Sequence, residues 1–205
     1  MLFPTIARLQ KSSKEGSSMS KGSSGLFRDT AGANAAVLSH GQDLIASRVI
    51  GMDLREHPRG KSLSAKQRKA IAAKTKNRTA TKSEYEQYYS DIRFSKRRKE
   101  GIKQFWVQEQ MRILSGKETT RDWSESQRQE ILRSERPKYN GKTVQGHHTY
   151  SASKYPHLAN QGAVIFPVTF DEHLYGWHGG NFKNSLPGRP IKKKTYHNFS
   201  GGREK

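Results

Sequence analysis

The sequence contains no cysteine. This absence excludes disulfide bonds, thiolate zinc sites and cysteine nucleophiles, so a metal ion would have to be held by His, Asp, Glu or Asn. No apolar run approaches the roughly 18 residues of a membrane-spanning helix. The first residues also lack the basic stretch and apolar run of a signal peptide. We therefore expect no standard signal peptide and no membrane partner.

Hydrophobic and acidic residues are both scarce. Hydrophobic residues make up 32% of the 205 residues, so we expect part of the chain to lie outside any core. Lysine and arginine number 38 against 18 aspartates and glutamates, which gives a formal net charge of +20. This excess favours a polyanionic partner, and nucleic acid fits best because neutralising its phosphates releases counterions.

The composition divides the chain into three segments. Residues 1–30 are rich in Ser, Gly and Lys and are predicted to be flexible. Residues 31–100 are basic and partly helical, with a short helix predicted within 31–52. Residues 101–205 carry the helix, hairpin and histidine patterns of the predicted catalytic domain.

Half of the excess charge lies in residues 61–103, which contain 14 basic and 4 acidic residues. The interleaved aromatics Tyr85, Tyr88, Tyr89 and Phe94 either stack on nucleic acid or anchor a helix on the following domain, and we favour the second interpretation. The basic residues that we expect to contact nucleic acid are Lys96, Arg97, Arg98, Lys99 and, later in the chain, Lys142.

Two helices are predicted between the basic segment and the histidines. Apolar residues at helical spacing from Ile102 to Ile113 predict a half-buried helix that ends at Gly116. Ser124 and Gln127 have the spacing of a capping box and predict a short helix, closed by Pro137.

A hairpin and a further helix follow. Asn140-Gly141 is a strong hairpin signal, which places the histidine pair 147–148 at the end of the second strand. The apolar run "AVIFPV" predicts another strand. Thr169 and Glu172 form a second capping box, which predicts a helix that ends at Gly179-Gly180.

Five of the eight histidines lie between residues 147 and 178. Neutral imidazole serves either as a metal ligand or as a base, the two roles that phosphodiester hydrolysis requires. Because neighbouring residues on a strand point to opposite sides, one of His147 and His148 can face a metal while the other faces water. His173 would bring a second ligand, and His178 can join it only if the helix ends or unwinds before Gly179.

The connecting loop carries two more polar candidates. Asn160 can bridge loop backbone groups and fix the site from behind the ligands. His157 follows a proline, and a hydrogen bond that stabilises the loop is its expected role.

The Gly-His-His at residues 146–148, combined with "EHLYGWHGGN" at 172–181, resembles the GHH-type nuclease domains of bacterial polymorphic toxins. These belong to the HNH/endonuclease VII superfamily of His-Me finger nucleases, and the resemblance spans about 121–190. It implies a small ββα-metal core. Together with the flanking helices and the basic, partly disordered N-terminal region predicted above, this core makes the expected fold class α+β. Some relatives have a four-cysteine zinc site, which is absent here, so packing by Trp106, Trp123 and Trp177 is expected to hold the fold.

The resemblance also assigns roles to residues. His147 is implied as a metal ligand and His148 as the general base, with His173 and His178 as further ligands and Asn160 as the intervening catalytic Asn. Asn160 lies thirteen residues before His173, farther than in compact HNH motifs. The implied cofactor is one divalent ion, Mg²⁺ in the first place, with Mn²⁺, Ni²⁺ or Zn²⁺ as alternatives.

The function that the resemblance implies is an endonuclease toxin used in interbacterial competition, secreted or delivered to the target-cell cytoplasm. DNA is the expected substrate and an acidic immunity protein the expected partner. Residues 31–100 are the expected delivery or docking region, with a secretion component or chaperone as its partner. The alternatives are an RNase toxin of the same fold, a phage or mobile-element endonuclease, and a non-catalytic basic protein that binds nucleic acid.

Overall fold

The structure, a computed structural model, describes residues 41–192. The predicted flexible segment 1–30 and the start of the helix predicted within 31–52 lie outside this range. The helices of the described part are α1 (41–48), α2 (Ala65–Lys76), α3 (Lys82–Leu114) and α4 (Glu125–Leu132). The strands are β1 (Lys138–Tyr139), β2 (Lys142–Thr143), β3 (Gln145–His148) and β4 (Ile165–Val168), followed by a π-helix (Glu172–Trp177).

Helix α3 is the longest element of the described part. A capping box of Thr81 and Glu84 starts it. It ends at Leu114, with Ser115 as the C-cap before Gly116, whose φ is 62°. Its 33 residues span about 50 Å. The helix predicted from Ile102 is therefore the C-terminal part of a longer one, and residue 100, the predicted domain boundary, falls inside it. The functional division at that boundary stays a prediction.

Two hydrophobic clusters surround the C-terminal half of α3. The larger one joins Ile45 and Val49 of the N-terminal part to Phe105, Phe166 and Trp177. The smaller one contains Trp123, Ile131 and Val144. The side chain of Trp106 packs against both clusters. The three tryptophans thus hold the fold as the sequence predicts.

The strands form two small antiparallel sheets. β1 and β2 are joined by Asn140-Gly141, with φ of 47° and 72°, which confirms the predicted hairpin. β3 pairs with β4 instead, with His147 opposite Phe166 and His148 opposite Ile165. The prediction that the histidines end the hairpin's second strand is therefore wrong. All four residues of β4 are buried, so β3 pairs with the interior strand while the hairpin stays at the surface.

Glycine at position 146 allows α3 to lie close to β3. A Cβ atom there would stand 3.1 Å from the side chain of Ile102 on α3. Glycine at this position of the Gly-His-His motif therefore avoids a tight contact between the strand and the Ile102 side chain.

Two buried carboxylates join the helices to the loops. Glu109 of α3 accepts hydrogen bonds from the backbone N of Thr120 (2.7 Å) and from Trp123 Nε1 (2.6 Å). Glu172 pairs with Arg121 at 2.7 Å, and both side chains are 1% exposed. Arg121 also donates to the carbonyl of Pro167 in β4, so this ion pair fixes the π-helix against the central strand.

The described part is thus a mixture of helices and small antiparallel sheets, and the predicted α+β class is confirmed. The capping boxes at Ser124 and Thr169 are also confirmed. Of the helices between residues 41 and 192, none has the length and hydrophobicity that a membrane crossing requires.

The buried ion pair gives a stability prediction. Glu172→Ala removes the carboxylate partner of a buried guanidinium and should lower the free energy of unfolding by about 3–5 kcal/mol. The control Glu135→Ala breaks an ion pair with Arg133 whose side chains are more than half exposed, and should cost less than about 1 kcal/mol. Urea unfolding of both variants measures the difference. Equal losses would contradict the importance of the buried pair.

Candidate active site

Three histidines from two elements meet at one point, and we call them the histidine cluster: His147 of β3, with His173 and His178 of the π-helix region. One ring nitrogen of each lies within 4.8 Å of the others. The ring of His147 lies 4.8 Å from that of His173 and 5.0 Å from that of His178, between centroids. Among residues 41–192 this is one of two groups with the composition and spacing of a metal site.

The π-helix is what brings His173 and His178 together. Its hydrogen bonds run from residue i to i+5, and the backbone N of His178 donates to the carbonyl of His173 at 3.1 Å. Residues five apart would lie on different sides of an α-helix, but the wider turn places these two rings 4.9 Å apart. The π-helix ends at Trp177, and Gly179 and Gly180, both with positive φ, follow in the turn after it.

Hydrogen bonds orient two of the three rings. Nδ1–H of His173 donates to Oε1 of Gln145 at 2.7 Å, and Nδ1–H of His178 donates to the carbonyl of Asn184 at 2.5 Å. Each bond leaves Nε2 with the lone pair. This is the arrangement in which histidines bind metals, one nitrogen held and the other free to coordinate.

Burial lowers the pKa of two rings of the cluster, those of His147 and His173. The pKa of His147 is well below its ordinary value, first because the ring is buried and then because of the neighbouring His173 and His178. Burial likewise lowers the pKa of His173 to about 4. Both rings are therefore unprotonated near neutral pH, the form in which imidazole coordinates a metal.

His148 lies on the same strand but in a different environment. Its Nε2–H donates to the carbonyl of Ala159 at 3.0 Å, which leaves the lone pair on Nδ1. Burial lowers its pKa to about 4, although this hydrogen bond works in the opposite direction. His148 is therefore a neutral imidazole of fixed tautomer, as a general base requires.

All four histidines line one open groove of about 580 Å³, the histidine groove. Arg98 of α3 lines it too, and its charge further lowers the pKa of both His148 and His173. Phe182 is 51% exposed, and its ring lies 5.2 Å from the rings of His173 and His178. The groove therefore offers a positive charge and an aromatic face beside the histidines.

The other lysine and arginine residues that are predicted to contact nucleic acid are distributed over the surface. Lys96 and Lys99 are exposed on α3. Arg97 donates to the carbonyl of His157 (2.9 Å) and to Oδ1 of Asn160 (2.7 Å). Lys142 lines a separate cavity beside the β1–β2 hairpin. Of the five lysine and arginine residues predicted to bind nucleic acid, the structure places Arg98 in the histidine groove. The binding role of all five stays a prediction.

The loop residues Asn160 and His157 lie outside the histidine cluster. Asn160 contacts Arg97 and directly follows Ala159, whose carbonyl holds His148. This position suits the predicted support from behind the ligands, and a catalytic role for Asn160 stays a prediction. Nε2–H of His157 donates to the carbonyl of Asp53 at 2.8 Å, the loop-stabilising hydrogen bond that the sequence predicts.

Sequence reasoning missed several residues of the site. Gln145 could have been found, because it shares a strand face with His147 two residues later. The exposed aromatic Phe182 carries no local signal. The carbonyl groups of Ala159 and Asn184 cannot be recognised from residue type, since every residue has one.

The residues of the histidine cluster fit a divalent metal ion. Three imidazoles converge, two of them with one ring nitrogen held by a hydrogen bond, and all three line the groove. The part of the cofactor prediction that concerns a metal-binding group is thereby supported.

Histidines from a strand and a following helix meet beside a histidine on that strand, and this arrangement in an α+β fold is consistent with a small HNH-type nuclease core. Residues 92–169 match the family described as GHH signature containing HNH/Endo VII superfamily nuclease toxin. This segment is therefore a nuclease toxin domain of that family, and the resemblance stated from the sequence is confirmed. No curated protein and no solved structure gives a significant match. The matched segment contains His147 and His148 and ends before His173.

A substitution at Gly101 of α3 tests whether the Ala159 carbonyl orients His148. A Cβ atom at this position would stand 2.5 Å from the carbonyl oxygen of Ala159, so Gly101→Ala must displace the acceptor of the His148 hydrogen bond. Alanine favours a helix by up to about 1 kcal/mol over glycine, so a loss of helix would not explain a defect. We expect nuclease activity to fall on the order of 100-fold with nucleic-acid binding retained.

The matched control is Gly60→Ala, because nothing lies within 4 Å of a Cβ atom at that position. Nuclease rates and binding of both variants are compared with wild type. Wild-type activity in Gly101→Ala would show that the Ala159 carbonyl does not position His148.

The lowered histidine pKa values predict acid sensitivity of the metal-free protein. As the pH falls below 6.5, the ordinary pKa of histidine, these side chains become protonated in the unfolded chain. In the folded protein, His148 and His173 become protonated only near pH 4. The contribution of these two histidines to the free energy of unfolding is therefore fully present above pH 6.5 and is lost as the pH falls from 6.5 to about 4. In EDTA, the melting temperature should fall from pH 7.5 to 5.5, and less so in His148→Gln. An identical fall in that variant would contradict the assignment.

Proposed function

We propose that this protein is a metal-dependent endonuclease toxin that hydrolyses phosphodiester bonds of DNA in target cells. The observation that carries the proposal is the placement of His148 beside the histidine cluster in one groove, a base next to a group suited to a metal. The family of residues 92–169 supports nuclease activity. The net charge of +20 supports a polyanionic substrate.

The roles of the residues follow from their surroundings. His147, His173 and His178 would hold the ion, which when bound supplies positive charge at the scissile phosphate and at the leaving oxygen. Nδ1 of His148 accepts a proton from water, while the Ala159 carbonyl keeps the ring in the required tautomer.

Substrate binding is assigned to residues around the groove. The guanidinium of Arg98 binds the phosphate backbone close to the reacting group. Phe182 offers its exposed ring to a base of the nucleic acid. Asn160, held by Arg97, supports the loop that carries the Ala159 carbonyl. Lys96, Lys99 and Lys142 contribute binding that is independent of sequence and sensitive to salt.

The donor set informs the choice of metal. Mg²⁺, the ion expected from the resemblance, prefers oxygen ligands, whereas imidazole suits first-row transition metals. Three imidazoles therefore favour Ni²⁺ or Zn²⁺ as the ion that supports activity, since Mn²⁺, like Mg²⁺, prefers oxygen ligands. Activity with Mg²⁺ would require that water and phosphate oxygens complete its coordination.

The biological role extends the same proposal. A domain of a nuclease toxin family is suited to delivery into a competitor's cytoplasm, with residues 31–100 as the docking region. The excess of basic residues favours an acidic immunity protein, because complementary charge speeds association and covers the groove. A secretion component or chaperone is the proposed partner of the N-terminal part.

Plasmid nicking tests the activity. The wild-type protein should nick plasmid with at least one of Mg²⁺, Mn²⁺, Ni²⁺ and Zn²⁺, and EDTA should stop it. Removing the base in His148→Ala should lower the rate at least roughly 100-fold while DNA binding is retained. His173→Ala should instead weaken metal affinity, so that activity returns partly at high metal concentration. The surface variant Glu135→Ala serves as the control for both.

The same assay distinguishes the alternatives. Degradation of RNA but not plasmid would make the protein an RNase toxin. Tight, salt-dependent DNA binding without nicking under any of the four metals would favour the non-catalytic binding protein. Normal cleavage by His148→Ala would overturn the assignment of the base.

A further inference from the structure

A second group of metal-binding side chains lies outside the histidine groove. It consists of Asp53, His57 and His157, and one ligand atom of each lies within 4.8 Å of the others. Nε2 of His57 lies 3.3 Å from Oδ2 of Asp53. This contact is a hydrogen bond. Its length is also close to the separation of about 3.3–3.4 Å between two ligands that lie about 2.0–2.1 Å from a tetrahedral ion.

Backbone contacts hold the two contributing segments together. The backbone N of His57 donates to the carbonyl of Lys154 (2.8 Å), and that of Arg59 donates to the carbonyl of Ser153 (3.0 Å). Lys154 also pairs with Glu56 at 3.1 Å. The group is therefore assembled by the fold rather than by chance encounter of mobile side chains.

One ring nitrogen of His157 is held by a hydrogen bond and the other has no partner. Nε2–H donates to the Asp53 carbonyl, so the lone pair is on Nδ1. This nitrogen is covered by protein and has no hydrogen-bond partner among the described residues. A buried acceptor without a partner is costly, and a coordinated ion would satisfy it. The ring of His57 approaches that of His157 edge-on, with centroids 4.8 Å apart.

Asp53 retains its charge, which a ligand must do. Hydrogen bonds from Arg55 hold the pKa of this carboxyl well below its ordinary value. The guanidinium of Arg55 contacts both carboxylate oxygens, at 2.9 and 2.8 Å. Because the Arg55 side chain is 81% exposed, it can move into solvent when a cation binds.

We propose that Asp53, His57 and His157 form a second, structural site for a divalent transition metal, for which Zn²⁺ is the best-suited ion. The mixed imidazole and carboxylate donors match its preference, and a chain without cysteine has no thiolate alternative. A metal here joins the segment after α1 to the loop of residues 151–160. That loop carries the Ala159 carbonyl, so the second site stabilises the element that orients His148.

Counting bound Zn²⁺ in the full chain tests the proposal without any activity measurement. Calorimetric titration at pH 7.5 should give two ions for wild type, one for His57→Ala, one for His173→Ala and none for the double variant. Asp53→Asn should behave as His57→Ala, and circular dichroism checks that each variant folds. Unchanged stoichiometry in both His57→Ala and Asp53→Asn would overturn the second site. Unchanged stoichiometry in His173→Ala would instead count against the histidine cluster.

Arg55 supplies a sharper test in the His173→Ala background. If Arg55 competes with the ion for Asp53, Arg55→Gln should tighten Zn²⁺ binding several-fold more than the control Arg93→Gln, which removes an equal charge from exposed α3 surface. Zn²⁺ should also raise the melting temperature of His173→Ala but not of the double variant. Equal affinities in Arg55→Gln and Arg93→Gln would overturn the competition between Arg55 and the ion for Asp53.

Discussion

The i to i+5 hydrogen bond between His178 and His173 is the interaction on which the metal-binding group depends. Without the wide turn, one of the two rings would leave the cluster. The turn is held from its start, because Glu172 both caps it through Thr169 and pairs with the buried Arg121. Since Arg121 also binds the Pro167 carbonyl, the same guanidinium fixes the π-helix relative to β4, and hence to His147 on β3.

His147 and His148 are neighbours on β3, but their side chains lie in different surroundings and suit different roles. His147 is directed to the cluster, where Trp177 packs on its ring and burial keeps it neutral. His148 is directed to the loop, where the Ala159 carbonyl selects its tautomer. Helix α3 makes both placements compatible, because glycines at 101 and 146 let its backbone and Ile102 lie against the loop and the strand. Close packing therefore sets the geometry of the base.

Local signals in the sequence were enough for much of the fold. The capping boxes at Ser124 and Thr169 and the Asn140-Gly141 turn depend on neighbouring residues alone, and all three are present in the structure. The partner of β3 could not be predicted, because pairing with β4 depends on burial of a strand that follows a long loop. The joining of the aromatic-basic segment and the following helix into α3 was also missed. Gly101 stands between them, and a glycine is typical of a helix end, yet here it lies inside α3.

The site was predictable in its residue types but not in its supports. The histidines at 147, 148, 173 and 178 are visible in the sequence, but an ideal α-helix would place 173 and 178 on different sides, where they could not bind one ion. A π-helix has no simple sequence signature, so only the folded chain resolves that conflict. The second group shows the same limit, since His57 and His157 are 100 positions apart in the sequence. The sequence shows which histidine side chains are present. The fold then places the carbonyl groups and packed side chains that determine which ring nitrogen of each histidine carries a free lone pair.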